Sequence, residues 1–264
     1  RFGKALRHRN LKRVRLDQAL VAKKLFDNVA AAQLAIDERK ITVNGSIAVS
    51  HGYMVAPGDE LLVIVAPKYV SRGGLKLEAA IREFAIALSE KRVLDVGAST
   101  GGFTDCALQH GARQVVALDI GKNLLHEKLA RDPRVVVIEN TNGREIKRLV
   151  KKGDKIFGPR FDVATVDLSF ISAREVLPAV KSALKDGGIL VLLVKPQFEA
   201  TKAESDRGSG VIVDSAVHNR VNDEMSEFVR QMGCEIVGVI ESPIHGHDGN
   251  REFLLVAKCA RVAS

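Results

Sequence analysis

The sequence predicts an α/β fold, a doubly wound and mostly parallel seven-stranded sheet, preceded by a small N-terminal α+β domain. Three observations carry this. From residue 92 onward, seven short runs rich in Val, Ile and Leu alternate with stretches of helical spacing, the pattern that builds a parallel sheet with helices on its faces. Ahead of them, two short helical patterns lead into small strands joined at Asn44-Gly45, a tight-turn pair. Finally, 264 residues with 46% hydrophobic and 27% charged side chains can bury a sizeable core. The longest strongly apolar run, Ile189 to Val194, is far shorter than the roughly 20 residues that cross a bilayer.

Taken in order, Leu16, Ala19, Leu20 and Val21 share one helical face, and Asp27 or Asn28 can cap a second helix whose Ala32 and Ile36 face the first. Lys40 begins the strand side, and Leu61 to Val65 reads as a short buried strand that Pro67 stops. The mixture PKYVSRGG at 67–74 suits a linker leading into a helix, in which Leu77, Ile81, Phe84 and Leu88 form a buried face. The strands expected next are Arg92 to Val96, Gln114 to Asp119, Arg134 to Ile138, Phe161 to Asp167, Gly188 to Val194, Glu235 to Glu241 and Glu252 to Cys259. A helical stripe of Val221, Met225, Phe228 and Met232 ends at Gly233. The expected division is therefore 1–66, a linker and helix start at 67–76, and 77–264.

Cys106, Cys234 and Cys259 lie far apart without CxxC spacing, so neither a disulfide framework nor a zinc module is expected. With no signal-like segment at its start, the chain is expected to be soluble and cytoplasmic. The net charge of +8 resides wholly in the first 24 residues, which hold nine Lys/Arg and one acid, Asp17. Such an arm attracts polyanions by displacing their counterions, which makes nucleic acid the leading partner and an acidic membrane surface the second. A solvated tail without a partner is the plain alternative.

The strand ending in Asp95, Val96 and Gly97 runs into a loop of Ala98, Ser99, Thr100, Gly101, Gly102 and Phe103 and then a helix. This first strand-to-helix crossover is where open α/β sheets bind ligands. Its spacing, G-x-x-x-G-G after an acid, departs from the dinucleotide pattern and points to S-adenosylmethionine rather than nicotinamide. Asp119, 22 residues after Gly97 at the end of the second strand, can accept from two ribose hydroxyls. Asn142, beyond the third strand, is the candidate for the adenine side.

Asp167 and Lys195 close the fourth and fifth strands at the same carboxyl edge as this loop, and Lys76 sits beside the apolar stripe of the preceding helix. Glu252 opens the last strand, and joins them if that strand runs antiparallel. Charges at the ends of buried strands are costly without a task or a partner. A salt-bridge network that merely caps the sheet is the alternative. His245 and His247 flank a glycine in a Pro/Gly/Asp-rich loop and are assigned a loop role, with no metal site.

Two resemblances extend this reading. Arg15 to Asp17, the Val43-Asn44-Gly45 turn and the Pro57-Gly58-Asp59 turn resemble the small RNA-binding domain of ribosomal small-subunit protein four. Asp27-Asn28 stands where that family commonly has Ser-Arg, and Arg39 where a helix-ending Gly is usual, so RNA binding is expected to lean on Arg13, Arg15, Lys23, Lys24 and Lys40. The motifs SRGGLKL, DVGASTGGFTD, VDLSFIS, LVKPQFE and GNREFLL resemble the TlyA (hemolysin A) family of ribosomal RNA 2′-O-methyltransferases. This resemblance spans nearly the whole chain. It implies a Rossmann-like class I methyltransferase fold, S-adenosylmethionine as cofactor, ribosomal RNA or a ribosomal subunit as partner, and the Lys-Asp-Lys-Glu tetrad of FtsJ-type enzymes on Lys76, Asp167, Lys195 and Glu252.

A ribose 2′-hydroxyl is a weak nucleophile and must be oriented and relieved of its proton as it takes the methyl group. Lys195 is the candidate proton acceptor; alternatively it stays protonated and steers the hydroxyl. No metal is required and no stable membrane insertion is expected. The competing functions are a non-catalytic RNA-binding or ribosome-assembly factor with a vestigial cofactor fold, and membrane lysis driven by the basic arm.

Overall fold

The computed structural model describes residues 13–64, 67–151, 155–157, 160–246 and 248–260. The chain forms two units, Arg1–Ala66 and Pro67–Ser264.

In the first unit β1 (Val14–Arg15) leads into α1 (Leu16–Ala22) and α2 (Val29–Asp37), followed by β2 (Ile41–Val43), β3 (Ser46–Ile47), β4 (Met54–Val55) and β5 (Leu61–Val63). The sheet order is β3-β2-β5, all antiparallel, and β1 pairs separately with β4. Asn28, not Asp27, caps α2, its Oδ1 accepting from Ala31 N at 2.9 Å. Leu16, Leu20, Ala32, Ile36 and Ile41 are buried together, so the two helices close on the sheet as their periodicity requires. After α2 the chain turns through Arg39 in the left-handed region (φ 56°), where glycine would be unstrained; a side chain there costs roughly 1–2 kcal/mol. Of the basic arm, Arg1, Lys4, Arg7, Arg9 and Lys12 lie outside the described residues.

The second unit opens with α3 (Gly73–Glu83), so Gly73 to Lys76 already form its first turn. It continues with β6 (Arg92–Val96), α4 (Gly102–Gln109), β7 (Gln114–Leu118), α5 (Glu127–Ala130), β8 (Val135–Ile138), α6 (Ile146–Lys151), β9 (Phe161–Val166), α7 (Leu177–Ala183) and β10 (Leu184–Val194). Then come α8 (Pro196–Glu199), α9 (Lys202–Arg207), α10 (Ser215–Gln231), β11 (Cys234–Glu241) and β12 (Phe253–Cys259).

These seven strands form one sheet in the order β11-β12-β10-β9-β6-β7-β8. The ladders from β10 to β8 are parallel, whereas β12 runs antiparallel to both β10 and β11. Both faces are covered. Leu94, Val96, Leu118, Val166 and Leu192 pack beneath α7 and α10, while the alternate residues Val93, Val115, Val163 and Val191 pack with Leu77 of α3 and Phe103 and Cys106 of α4.

Three expectations need correction here. α3 ends at Glu83, so Leu88, expected on its face, is buried beyond the helix. β10 starts at Leu184, ahead of the predicted Gly188, and its ladder with β9 is irregular between Leu184 and Ile189. The segment Lys185-Asp186-Gly187 breaks register before the regular ladder resumes. No disulfide framework is expected from the cysteine spacing, yet Cys234 and Cys259 form a disulfide. Antiparallel pairing places them opposite one another at the start of β11 and the end of β12, with Cα atoms 4.0 Å apart. Cys106 remains free and buried, and burial pushes its thiol up to about 12.

Candidate active site

The carboxyl ends of β6, β7, β9 and β10 deliver the site. Beyond β6 the chain enters the left-handed region at Gly97 (φ 83°), and the amides of Gly97 and Ala98 both donate to Leu118 O at 2.9 and 3.2 Å. A β-carbon on Gly97 would collide with the backbone carbonyl oxygen of Asp167, so only glycine fits. From there the loop crosses Ser99 and Thr100 to Gly101, which starts α4 against Leu125 and Leu129.

Asp119, just past β7, accepts from Ser99 N at 2.8 Å and Gly121 N at 2.7 Å. Two backbone donors thus orient its carboxylate while the residue stays partly open to solvent. It borders a cleft of about 510 Å³ whose apolar walls include Leu118, Ile120, Leu124, Ile171 and Val176. Asn142 borders the same cleft, with its Oδ1 capping a short turn through Arg144 N at 3.0 Å. An apolar slot with one oriented carboxylate has the chemistry to hold a nucleoside, its base against apolar walls and its sugar hydroxyls on the carboxylate.

A second cleft, of about 640 Å³, shares Gly97, Ser99, Asp167, Ser169 and Phe170 with the first and holds all four predicted tetrad residues. They form two pairs. Lys76 Nζ donates to Glu252 Oε2 at 2.5 Å, in a pair whose side chains are 10% and 3% exposed. Lys195 Nζ lies 2.6 Å from Asp167 Oδ1 and donates to Ser169 Oγ at 3.0 Å. Removing one member of such a desolvated pair leaves the other uncompensated, at a cost of about 3–5 kcal/mol. Glu252 arrives because β12 is antiparallel, which puts its start at the edge where the parallel strands end.

Ala98, Thr100, Gly102 and Phe103 also border this second cleft, whereas Gly101 borders neither cleft. Asp95 does not reach the cofactor position assigned to it. It is 1% exposed beneath the loop, with one oxygen accepting from Thr104 Oγ1 at 2.7 Å and the other from Thr165 Oγ1 at 2.8 Å. Alternation along β6 turns Asp95 to the face of Val93, under α4, where it ties β6, β9 and the first turn of α4 together. Burial pushes its carboxyl up to about 6, opposed by the two threonine hydroxyls. His245 borders the tetrad cleft from the β11–β12 loop; His247 lies outside the described residues. Among the described residues no cluster of three or more His, Cys, Asp or Glu side chains is placed to hold a metal ion, and no helix is long and apolar enough to cross a membrane.

Sequence reasoning missed three residues of the cleft. Ser169 holds Lys195. Phe170, 89% exposed with φ 70°, stands where the clefts meet, its ring centroid 5.6 Å from that of Phe198. Gln197, from the turn after Lys195, carries a buried amide oxygen without a hydrogen-bond partner. The available signal was position, because each lies within three residues of a charged strand end.

In the first unit Arg13, Arg15, Lys23, Lys24 and Lys40 are all exposed. Arg15 forms a fork onto buried Asp17 at 3.1 and 2.7 Å, and that guanidinium holds the Asp17 carboxyl well below the usual carboxylate range. Lys23 donates to Asp59 O at 3.0 Å, and Lys40 pairs with Glu38 at 2.5 Å.

A mostly parallel seven-stranded sheet, with a glycine loop at its first crossover and an acid closing the next strand, defines the second unit as a Rossmann-like methyltransferase. The FtsJ-like methyltransferase model matches residues 69–259, and the S4 domain model matches residues 14–61. The chain belongs to the FtsJ-like methyltransferase family. It is 39% identical over 246 residues to the 16S/23S rRNA (cytidine-2′-O)-methyltransferase TlyA of Mycobacterium tuberculosis, covering 92% of this chain and 89% of that one. It is 37% identical to hemolysin A of Brachyspira hyodysenteriae, covering 91% and 98%. The solved structure of a hemolysin-like protein from Streptococcus thermophilus, 36% identical, matches with a TM-score of 0.70 over 95% of this chain and 90% of that one.

Proposed function

We propose that this protein is an S-adenosylmethionine-dependent methyltransferase acting on ribose 2′-hydroxyls of ribosomal RNA. The observation that carries the reading is the meeting of Lys76, Asp167, Lys195 and Glu252 in one cleft that is continuous with a nucleoside-sized slot. The mycobacterial relative acts on cytidine, which nominates a cytidine ribose here.

When bound, the cofactor supplies a methyl group on a sulfonium centre, already activated for displacement. Asp119 accepts from its ribose, the Gly97 to Phe103 loop admits its amino-acid end, and the walls around Leu118 and Val176 take its base. Lys195, acting as the neutral amine, receives the proton of the 2′-hydroxyl as that oxygen takes the methyl group and the methyl–sulfur bond breaks, with Asp167 holding the amine in place. The Lys76–Glu252 pair borders the same cleft and adds no net charge to it. Phe170 offers an open aromatic face at the mouth, where a base can stack. The reading assigns no step to a metal.

The S4 unit supplies affinity for the RNA backbone through its exposed cations, with Arg15 held rigid by Asp17. A ribosomal RNA substrate places the protein in the cytoplasm, and membrane insertion plays no part in the reading. Its test is to map ribose methylation across ribosomal RNA in cells with and without the gene, and to restore it with purified protein and labelled S-adenosylmethionine. Loss and restoration of at least one 2′-O-methyl mark is expected; an unchanged map, with no label transferred to ribosomal subunits, overturns it.

A further inference from the structure

We propose that Ser169 is a positioning residue for Lys195: its hydrogen bond sets the rotation of the lysine amine, and so the direction that meets the substrate hydroxyl. The proposal rests on the methyl-transfer reading above and adds a residue to its machinery.

The argument is one of tetrahedral geometry. Nζ has four directions, and one is the bond to Cε. A second donates to Ser169 Oγ at 3.0 Å, while Asp167 Oδ1 lies 2.6 Å from Nζ as an ion-pair partner without hydrogen-bond geometry. The bond to Ser169 sets the rotation about Cε–Nζ, and with it the two remaining directions, whether one carries a proton to be donated or a lone pair that accepts one. With Asp167 alone, the amine would be attracted but free to rotate. The bond to Ser169 removes this freedom, and alignment within a few tenths of an ångström is where a positioned proton acceptor gains its rate.

Three further observations place Ser169 in this role. The Lys195 side chain is only 11% exposed, so water competes weakly for the directions left open. The ion-pair partner is itself fixed: Asp167 N donates to Val96 O at 3.0 Å, and its carbonyl abuts Gly97. Ser169 borders both clefts, which puts its hydroxyl at the junction where cofactor and substrate sugar must meet. Its own exposure means that losing the hydroxyl opens no cavity in the core.

The test compares the full-length wild type with Ser169→Ala, Ser169→Thr and Lys195→Ala. Ser169→Ala should lower kcat about 10–100-fold, the scale on which a small misplacement acts, with KM for S-adenosylmethionine and affinity for ribosomal RNA unchanged. Ser169→Thr keeps the hydroxyl and should recover most of the rate. Independently of turnover, the Nζ hydrogens of Lys195, followed by ¹⁵N NMR in the cofactor-free protein, should exchange with water faster in Ser169→Ala than in wild type or Ser169→Thr. An undiminished kcat in Ser169→Ala, a Thr variant as slow as Ala, or equal Nζ exchange in all three overturns the proposal. If wild type fails to methylate ribosomal RNA, the functional reading fails, and the exchange measurement still decides whether Ser169 holds the amine.

Discussion

Gly97 lies against the carbonyl oxygen of Asp167 so closely that no β-carbon can stand between them. The glycine belongs to the loop after β6 and the aspartate to the end of β9, two adjacent parallel strands. The contact therefore joins the nucleoside slot to the tetrad through the backbone alone. Moving one strand end moves the other.

Gly97→Ala should consequently damage both functions. The methyl group meets backbone rather than a yielding side chain, and the left-handed φ of 83° adds strain of roughly 1 kcal/mol or more. Calorimetry should show cofactor affinity reduced at least tenfold, and thermal unfolding should show a lower Tm. Wild-type values for both would contradict the contact.

Asp119→Ala tests the nucleoside slot. Loss of a charged acceptor for the ribose hydroxyls should weaken S-adenosylmethionine binding by about 1.5–3 kcal/mol. Asp119 also accepts from Ser99 and Gly121, so Asp119→Asn is the milder companion: its single carbonyl oxygen can keep one of these bonds. Titration calorimetry ranking wild type above Asn and Asn above Ala is the expected order.

Lys195→Ala should reduce single-turnover methylation about 10²–10⁴-fold while leaving cofactor affinity nearly unchanged. Lys195→Arg should not restore the rate, because a planar guanidinium keeps its charge and cannot reproduce the amine's hydrogen bond to Ser169 beside Asp167. A folded Lys195→Ala protein at wild-type speed would remove Lys195 from the chemistry and leave the tetrad a structural network.

Asp95 predicts a pH dependence of stability. Its carboxyl titrates near 3.8 in the unfolded chain and at about 6 in the fold, because burial disfavours the ionised form. Between those values the folded protein retains a proton that the unfolded chain has released, so this group's contribution to stability declines as pH rises through the window. The full decline amounts to roughly 3 kcal/mol. In Asp95→Asn it should vanish. Denaturant unfolding of both proteins from pH 4 to pH 7 should show the difference in stability, wild type minus variant, falling with pH; a constant difference would refute the assignment.

Much of this architecture was legible before any coordinates. Arg92 to Val96 forms a strand with the limits read from its residues, and the other runs fall within a residue or so except at Leu184. Buried parallel strands announce themselves by unbroken Val and Leu. The tetrad could be placed at one edge because Asp167 and Lys195 directly follow such runs. What could not be read was side-chain direction. Only the pairing register reveals that Cys234 faces Cys259, and only the geometry of the cleft reveals that Lys195 pairs with Asp167 while Lys76 pairs with Glu252. Asp95 was misjudged for the same reason: closeness to the loop in sequence said nothing about which way a strand residue points.

The antiparallel strand β12 slots between β10 and β11, and Glu252 stands immediately before it, 176 positions beyond Lys76. During synthesis, α3, the glycine loop and the ends of β9 and β10 all leave the ribosome before this piece exists. The edge of β10 must wait for a partner, and Lys76 for its counter-charge. A nascent chain therefore passes through a stage in which it carries the elements of the nucleoside slot but an incomplete tetrad. On the role proposed for the tetrad, activity on ribosomal RNA waits until the closing hairpin has emerged and inserted.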